Sequence, residues 1–439
     1  MKPLATPEAS DPTRVSLTTE DVFRAVDRKR DRITTLLCDL IRIPTIVPPG
    51  NNYEDMVNYL EPVFQKLGFH TERVVIPEEQ IEKIPYPLEG PRTNLVATRN
   101  HDKEEAVTIY AHMDVVPIEE PWTKDPFGGV VENDHIYGRG AFDMKSGIAA
   151  MIVALEVMDE LGLPPHFNIV CTLCTDEELG VYPGIYHLAK EGYVKGHLLN
   201  TEFGSQMPII SPGLAGSLEV TVRTKGRSCH SGMNYIGVNA VEAMVPILTE
   251  LLQLKAEVEQ RESAVPIVPF LRSMGAPSDK LTPMFNIDII RGGTKSNIVP
   301  AECELVINRR YIPEEAYSDV VQEIQDAVDR GHAKSKALDV EVSVVDSYRP
   351  FKADPESRYS LKMREALKAV HGYQDSDFVV GSAAGSTDMG FVAQALKTDK
   401  FIGVGAATLG NMSAHKPDEW VSVDTLTKMA KQLVHYLAL

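Results

Sequence analysis

Residues 146–174, SGIAAMIVALEVMDELGLPPHFNIVCTLC, carry the alternation that decides the fold. Residues 146–161 read as a helix, with Gly162 as its stop. The apolar run at 167–174 that follows reads as a strand. Upstream, Val-Thr-Ile-Tyr-Ala at 107–111 reads as another buried strand, and further strands are expected at about 70–76 and 94–98. Residues 20–45 carry apolar positions at Val22, Val26, Ile33, Leu36 and Leu37, the spacing of one helix. Residues 53–67 predict a second amphipathic helix, ended by Gly68. Strand and helix in alternation predict an α/β fold of three layers around a largely parallel sheet. In such sheets ligands sit beyond the carboxyl ends of the strands. His112 and Glu177 both fall just past such ends.

The rhythm changes near Pro212-Gly213. A strand at 217–224, a helix at 239–254, a Pro-rich insertion at 264–283, strands at 284–291 and 302–310, a helix at 314–330 and a strand at 339–345 follow. That β-α-β-β-α-β order predicts a ferredoxin-like α+β unit inserted into the first domain. The expected division is 1–212 with 350–439, interrupted by 213–349. A strand at 401–404 and a helix at 423–437 would complete the first domain.

The chain of 439 residues has a formal net charge of −18 and no basic run. Phosphate contacts need clustered lysine and arginine, so no nucleic-acid partner is expected. No run of 18 apolar residues occurs, so no membrane span is expected. Five cysteines, an odd and sparse count, argue for reduced thiols and a cytoplasmic setting. Cys171 and Cys174 form a C-x-x-C within a strand, where residues three apart face opposite sides, so both read as structural. The N-terminus has no secretory core, and roughly its first 15 residues, rich in Pro, Ser, Thr and Asp, read as disordered.

The chemistry concentrates where the strands end. His112-Met-Asp114 places an imidazole next to a carboxylate that can orient it, since residues i and i+2 of an extended chain point the same way. Asp143 follows in GRGAFDMK and the pair Glu177–Glu178 in TDEELG. Divalent-metal hydrolysis needs such a set: imidazole and carboxylate ligands, and one spare carboxylate to move a proton.

These blocks resemble the M20 metallopeptidases, the group of acetylornithine deacetylase, succinyl-diaminopimelate desuccinylase, aminoacylase-1 and glutamate carboxypeptidase. Glu202 in NTEFGS, His230 in CHSGMNYIGVNA and His415 in SAHKPDEW match later blocks of the family in order, so that the resemblance spans roughly residues 30–439. NTEFGS departs from the usual acidic-Pro wording. The resemblance implies two divalent metal ions bridged by Asp143, with His112 and Glu202 on one and Glu178 and His415 on the other. Mixed His and carboxylate ligands make zinc the expected metal, with manganese or cobalt as alternatives. Asp114 would accept the N–H of His112, and Glu177 would be the general base toward a metal-activated water. His230 would reach the neighbouring subunit of a homodimer formed through the inserted lid domain, and would polarise the scissile carbonyl there.

The resemblance also assigns substrate contacts. Asn297 in GGTKSNIVP would offer its amide, and Arg310 in NRRY a guanidinium suited to a carboxylate, although Asn308 stands where the family often has Asp. Gly385 and Ser386 in GSTDMG would line the cleft. The implied activity is hydrolysis of an amide or related C–N bond in a small carboxylate-bearing substrate, as an N-acyl amino acid deacylase or a dipeptidase or carboxypeptidase. An aminohydrolase releasing ammonia from a small amine is the alternative within hydrolysis. A catalytically inactive binding relative is the alternative outside it, and the presence of Glu177 beside all five ligands speaks against it.

Overall fold

The computed structural model describes residues 17–439 except Lys83, Phe203 and Ala384, so the disorder expected of the N-terminus lies outside the described residues. Six strands form one sheet, in the order His70–Val75, Thr93–Arg99, Asn168–Cys174, Ala106–His112, His197–Asn200, Phe401–Gly403. The first two pairings are antiparallel and the last three parallel. The sheet is therefore mixed, with its parallel half holding the candidate residues.

Each face has its own core. Val107, Ile109, Ala111, Ile169 and Cys171 point into one cluster, with the helices Arg30–Ile41, Lys145–Glu160, Arg358–His371 and Val423–Ala438 packed over them. Tyr110, Val170 and Cys174 point into the other, beneath Gly184–Lys190 and Met389–Leu396. Cys171 and Cys174 thus lie on opposite faces, both fully buried, and all five cysteines are free thiols. The helix Lys145–Glu160 is apolar on nearly every side because the sheet covers one face and other helices the rest.

The single helix expected over 20–45 is two, Thr19–Asp27 and Arg30–Ile41. The run Asp27-Arg-Lys-Arg30 offers no apolar side chain to continue the stripe. Breaking there lets Val22 and Val26 reach the same core as Ile33, Leu36 and Leu37. Thr18 caps the first helix in a reciprocal box with Asp21.

A second sheet is antiparallel throughout, in the order Met284–Gly292, Glu302–Tyr311, Gly216–Lys225, Asp339–Tyr348. The long helices Ala240–Val258 and Tyr317–His332 cover it around a separate core of Leu218, Val220, Ile247, Leu305, Ile307 and Ile324. The order is that of a ferredoxin-like β-α-β-β-α-β unit. The two segments that join it to the first unit pair with each other, Gly213–Leu214 against Phe351–Lys352, and Leu214 and Phe351 are buried in the first unit's core. The Pro-rich insertion carries the short helix Phe270–Ser273 and packs Val265, Ile267 and Leu281 against Ala215 and Ile312. Among the described residues no helix is long and apolar enough to cross a membrane.

Candidate metal centre

Three adjacent parallel strands end together. His112 is in register with Cys174, and Tyr110 with Asn200. The chain beyond those ends carries Asp114, Glu177, Glu178 and Glu202. From the Ala106–His112 strand the chain goes to Asn168–Cys174 on one side and from there crosses to His197–Asn200 on the other, which opens a crevice at that point. Asp143 reaches the crevice from the turn before the helix Lys145–Glu160, and His415 from the loop before the strand Trp420–Ser422.

The donors converge. Asp143 Oδ1 is 3.2 Å from His112 Nε2, and its Oδ2 is 3.4 Å from His415 Nε2. His415 Nε2 is also 3.0 Å from Glu178 Oε2. Ligand atoms of His112, Asp143 and Glu178 lie within 4.8 Å of one another, as do those of His112, Glu177 and Glu202. Asn200 positions Glu202 by accepting its backbone N–H at 2.6 Å. The contact expected between Asp114 and His112 is different in detail. His112 Nδ1 lies 3.1 Å from the Asp114 carbonyl oxygen, whereas the Asp114 carboxylate is at 3.6 Å. That carboxylate accepts the Glu178 N–H through Oδ2 at 2.9 Å, and its buried Oδ1 has no hydrogen-bond partner.

The electrostatics call for a cation. Among the described residues, Asp143, Glu177, Glu178, Glu202 and Asp388 have no lysine or arginine in ion-pair contact; Asp143 and Glu178 face only imidazoles. Burial, then the nearby Glu202, pushes Glu177 well above the usual carboxylate range. Burial, then Asp143, pushes Glu202 up to about 8, and burial raises Asp388 to about 7. His415 is held up to about 10 by Asp143 and Glu178. Protons on these groups offset crowded negative charge that divalent cations would offset instead. The imidazoles of His112 and His415 and the carboxylates of Asp143, Glu178 and Glu202 are a donor set that fits metal ions.

The remaining expected residues divide. Arg310 meets the block that holds Gly385 and Ser386: it is half-buried, and its Nη1 donates to Ser386 Oγ at 2.8 Å, while that hydroxyl donates to the Ala215 carbonyl at 2.8 Å. Gly385 is exposed with open space where a Cβ would stand. His230 and Asn297 are exposed beyond one end of the second sheet's strands, where the Ser231 N–H donates to the Asn297 carbonyl at 3.0 Å and His230 bridges to Ile298. Two residues were missed. Tyr348, where the second unit's last strand ends, donates its hydroxyl to the Glu177 carbonyl at 3.0 Å. Asp388, fully buried, accepts the Tyr110 hydroxyl. Asp388 lies in the GSTDMG block and was within reach of sequence reasoning; nothing in the sequence marks Tyr348.

The model of peptidase family M20/M25/M40 matches residues 108–439. A probable succinyl-diaminopimelate desuccinylase of Staphylococcus aureus is 26% identical over 90% of this chain and 93% of its own. An M20 family metallo-carboxypeptidase from Sulfolobus solfataricus superposes with a TM-score of 0.74 at 20% identity, covering 92% of this chain and 98% of that one. A dinuclear metal-binding M20 peptidase from Bacillus subtilis superposes with a TM-score of 0.63 at 15% identity, covering 93% and 98%.

Proposed function

The chain belongs to peptidase family M20/M25/M40 and is a metal-dependent hydrolase of amide bonds, and on that premise we propose that it carries two divalent ions and cleaves an N-acyl amino acid or a small peptide. One observation carries the dinuclear reading: the two oxygens of Asp143 face different histidines, His112 at 3.2 Å and His415 at 3.4 Å. A carboxylate shared in this way can span cations about 3.5–4 Å apart. His112 and Glu202 would hold one ion, Glu178 and His415 the other. Zinc suits these ligands, with manganese or cobalt as alternatives.

When bound, the ions would polarise the scissile carbonyl and acidify water. The protein's own groups do the rest. Glu177 takes the proton of the attacking water and passes it to the leaving nitrogen. Its burial beside Glu202, which raises its affinity for a proton, suits a group that must accept one and release it. Asp114 lies beside His112 and ties the Glu178 backbone to the same spot. Arg310 has a hydroxyl, not a carboxylate, as its partner, which leaves its charge free to receive a substrate carboxylate. Gly385, beside Ser386, leaves the cleft wall open there.

His230 and Asn297 make their hydrogen bonds within the second unit, at a face that also exposes Tyr235 and Ile236. That supports a homodimer through this unit, in which His230 and Asn297 serve the partner subunit's centre. The separate cores support two domains with their crossover near residues 213 and 350, and the free thiols support a cytoplasmic setting. The test is amine release from N-acetyl and N-succinyl amino acids and dipeptides, with Zn²⁺, Mn²⁺ or Co²⁺ added and with chelator as control. Hydrolysis of none of them, with any of the metals, would refute the substrate class.

A further inference from the structure

Asp143 and His415 sit on loops far apart in the chain, so something must set the gap between them. We propose that Glu419 is a positioning residue that locks these two loops together and so sets the spacing of the metal ions; the inference rests on the dinuclear reading above. Glu419 is completely buried and Arg139 nearly so. Glu419 Oε1 accepts the backbone N–H of Gly140 at 3.1 Å, of Phe142 at 2.8 Å and of Asp143 at 3.0 Å. Its Oε2 accepts Arg139 Nη1 at 2.7 Å. The same guanidinium donates to the carbonyls of His415 and Lys416, each at 3.4 Å. The Glu419 carbonyl takes the Gly138 N–H at 2.9 Å, and Trp420 pairs antiparallel with Tyr137.

Backbone N–H groups converging on one oxygen form an anion nest. An amide does not replace the carboxylate there. In Glu419→Gln, a side chain with its oxygen in the nest would turn NH₂ toward Arg139; flipped, it would turn NH₂ toward three N–H donors. Either way donor meets donor. The backbone of Asp143 is thereby fixed through one oxygen of Glu419, and the backbone of His415 through the other and Arg139. Neither ligand gains that placement from the central sheet.

The experiment measures Zn²⁺ affinity and stoichiometry of full-length protein by competition with a chelating dye, beside the melting temperature of the metal-free form. Glu419→Gln is expected to weaken Zn²⁺ binding about 10–100-fold, the usual effect of losing a group that orients ligands. Arg139→Lys keeps a positive charge beside Glu419 but loses the planar fork that reaches the His415 carbonyl. It is expected to weaken one of two Zn²⁺ ions and spare the other, and it decides the matter if Glu419→Gln does not fold. A purely structural role would lower the melting temperature and leave Zn²⁺ affinity of the folded variants within about twofold of the parent, which overturns the proposal. A parent that binds fewer than two Zn²⁺ overturns the dinuclear reading and this inference with it.

Discussion

Glu177 is almost fully buried, and its carboxylate has an oxygen within 4.8 Å of donor atoms of His112 and Glu202, while His415 faces its neighbour Glu178. Glu177→Ala is therefore expected to cost about 10²–10⁴-fold in turnover, the range for a general base. Metal content by elemental analysis should stay near the parent's. A variant with near-parental turnover would remove Glu177 from proton transfer. His197 makes a second point at this scale. It is fully buried, stacked on Tyr359 at 3.9 Å and 2.7 Å from the Tyr436 hydroxyl, and burial holds its imidazole down to about 3. The unfolded chain binds a proton there below about 6.5 and the folded chain does not. Stability contributed at neutral pH is thus lost as pH falls from about 6.5 toward 3, by at most about 1.4 kcal/mol per pH unit from this group. His197→Phe should flatten the fall of the melting temperature between pH 7 and 5, even if it starts lower. Parallel curves for the two proteins would show that another group sets the slope.

Helix Lys145–Glu160 shows how an element carries function without touching substrate. A Cβ on Gly147 would stand 2.6 Å from the Thr201 carbonyl and hydroxyl oxygens, next to Glu202. Alanine favours a helix over glycine by about 1 kcal/mol, whereas overpacking costs about 1–3 kcal/mol. The clash should win, so Gly147→Ala is expected to lower the denaturant midpoint; a raised midpoint would mean that the Thr201 segment yields freely. The elements themselves were legible. Both β-α-β rhythms, the alternation that sends Cys171 and Cys174 to opposite faces, and the place of His112 and Glu177 just past strand ends follow from short-range periodicity, whereas Glu202 and His415 become candidates only through the family resemblance. Three things were not. The break at residues 28–29 depends on how two helices share one core, and the apolar gap at 27–30 marks its place without requiring it. Tyr348 meets Glu177 only because the second unit folds back on the first. The acceptor nearest His112 Nδ1 is a backbone carbonyl, and side-chain spacing says nothing of carbonyl direction.

The whole molecule raises the question of subunits. His230 makes its hydrogen bonds within the second unit, and under the proposed dimer, in which it serves the partner's centre, two different lesions should complement. Inactive His230→Ala protein mixed with inactive Glu177→Ala protein should regain activity after subunit exchange, because one site of each heterodimer then has an intact Glu177 and an intact His230 from the partner. Up to about half the parental activity per heterodimer is expected if sites are independent. No recovery, with heterodimers proven by mass spectrometry, would mean that His230 acts within its own chain or not at all. The paired ribbon of Gly213–Leu214 and Phe351–Lys352 has a consequence of another kind. Entry and exit of the second unit lie side by side, with both anchor residues in the first unit's core. For the genome, that unit is a cassette with touching ends: one excision or exchange event could remove or replace it and leave the reading of the first sheet intact.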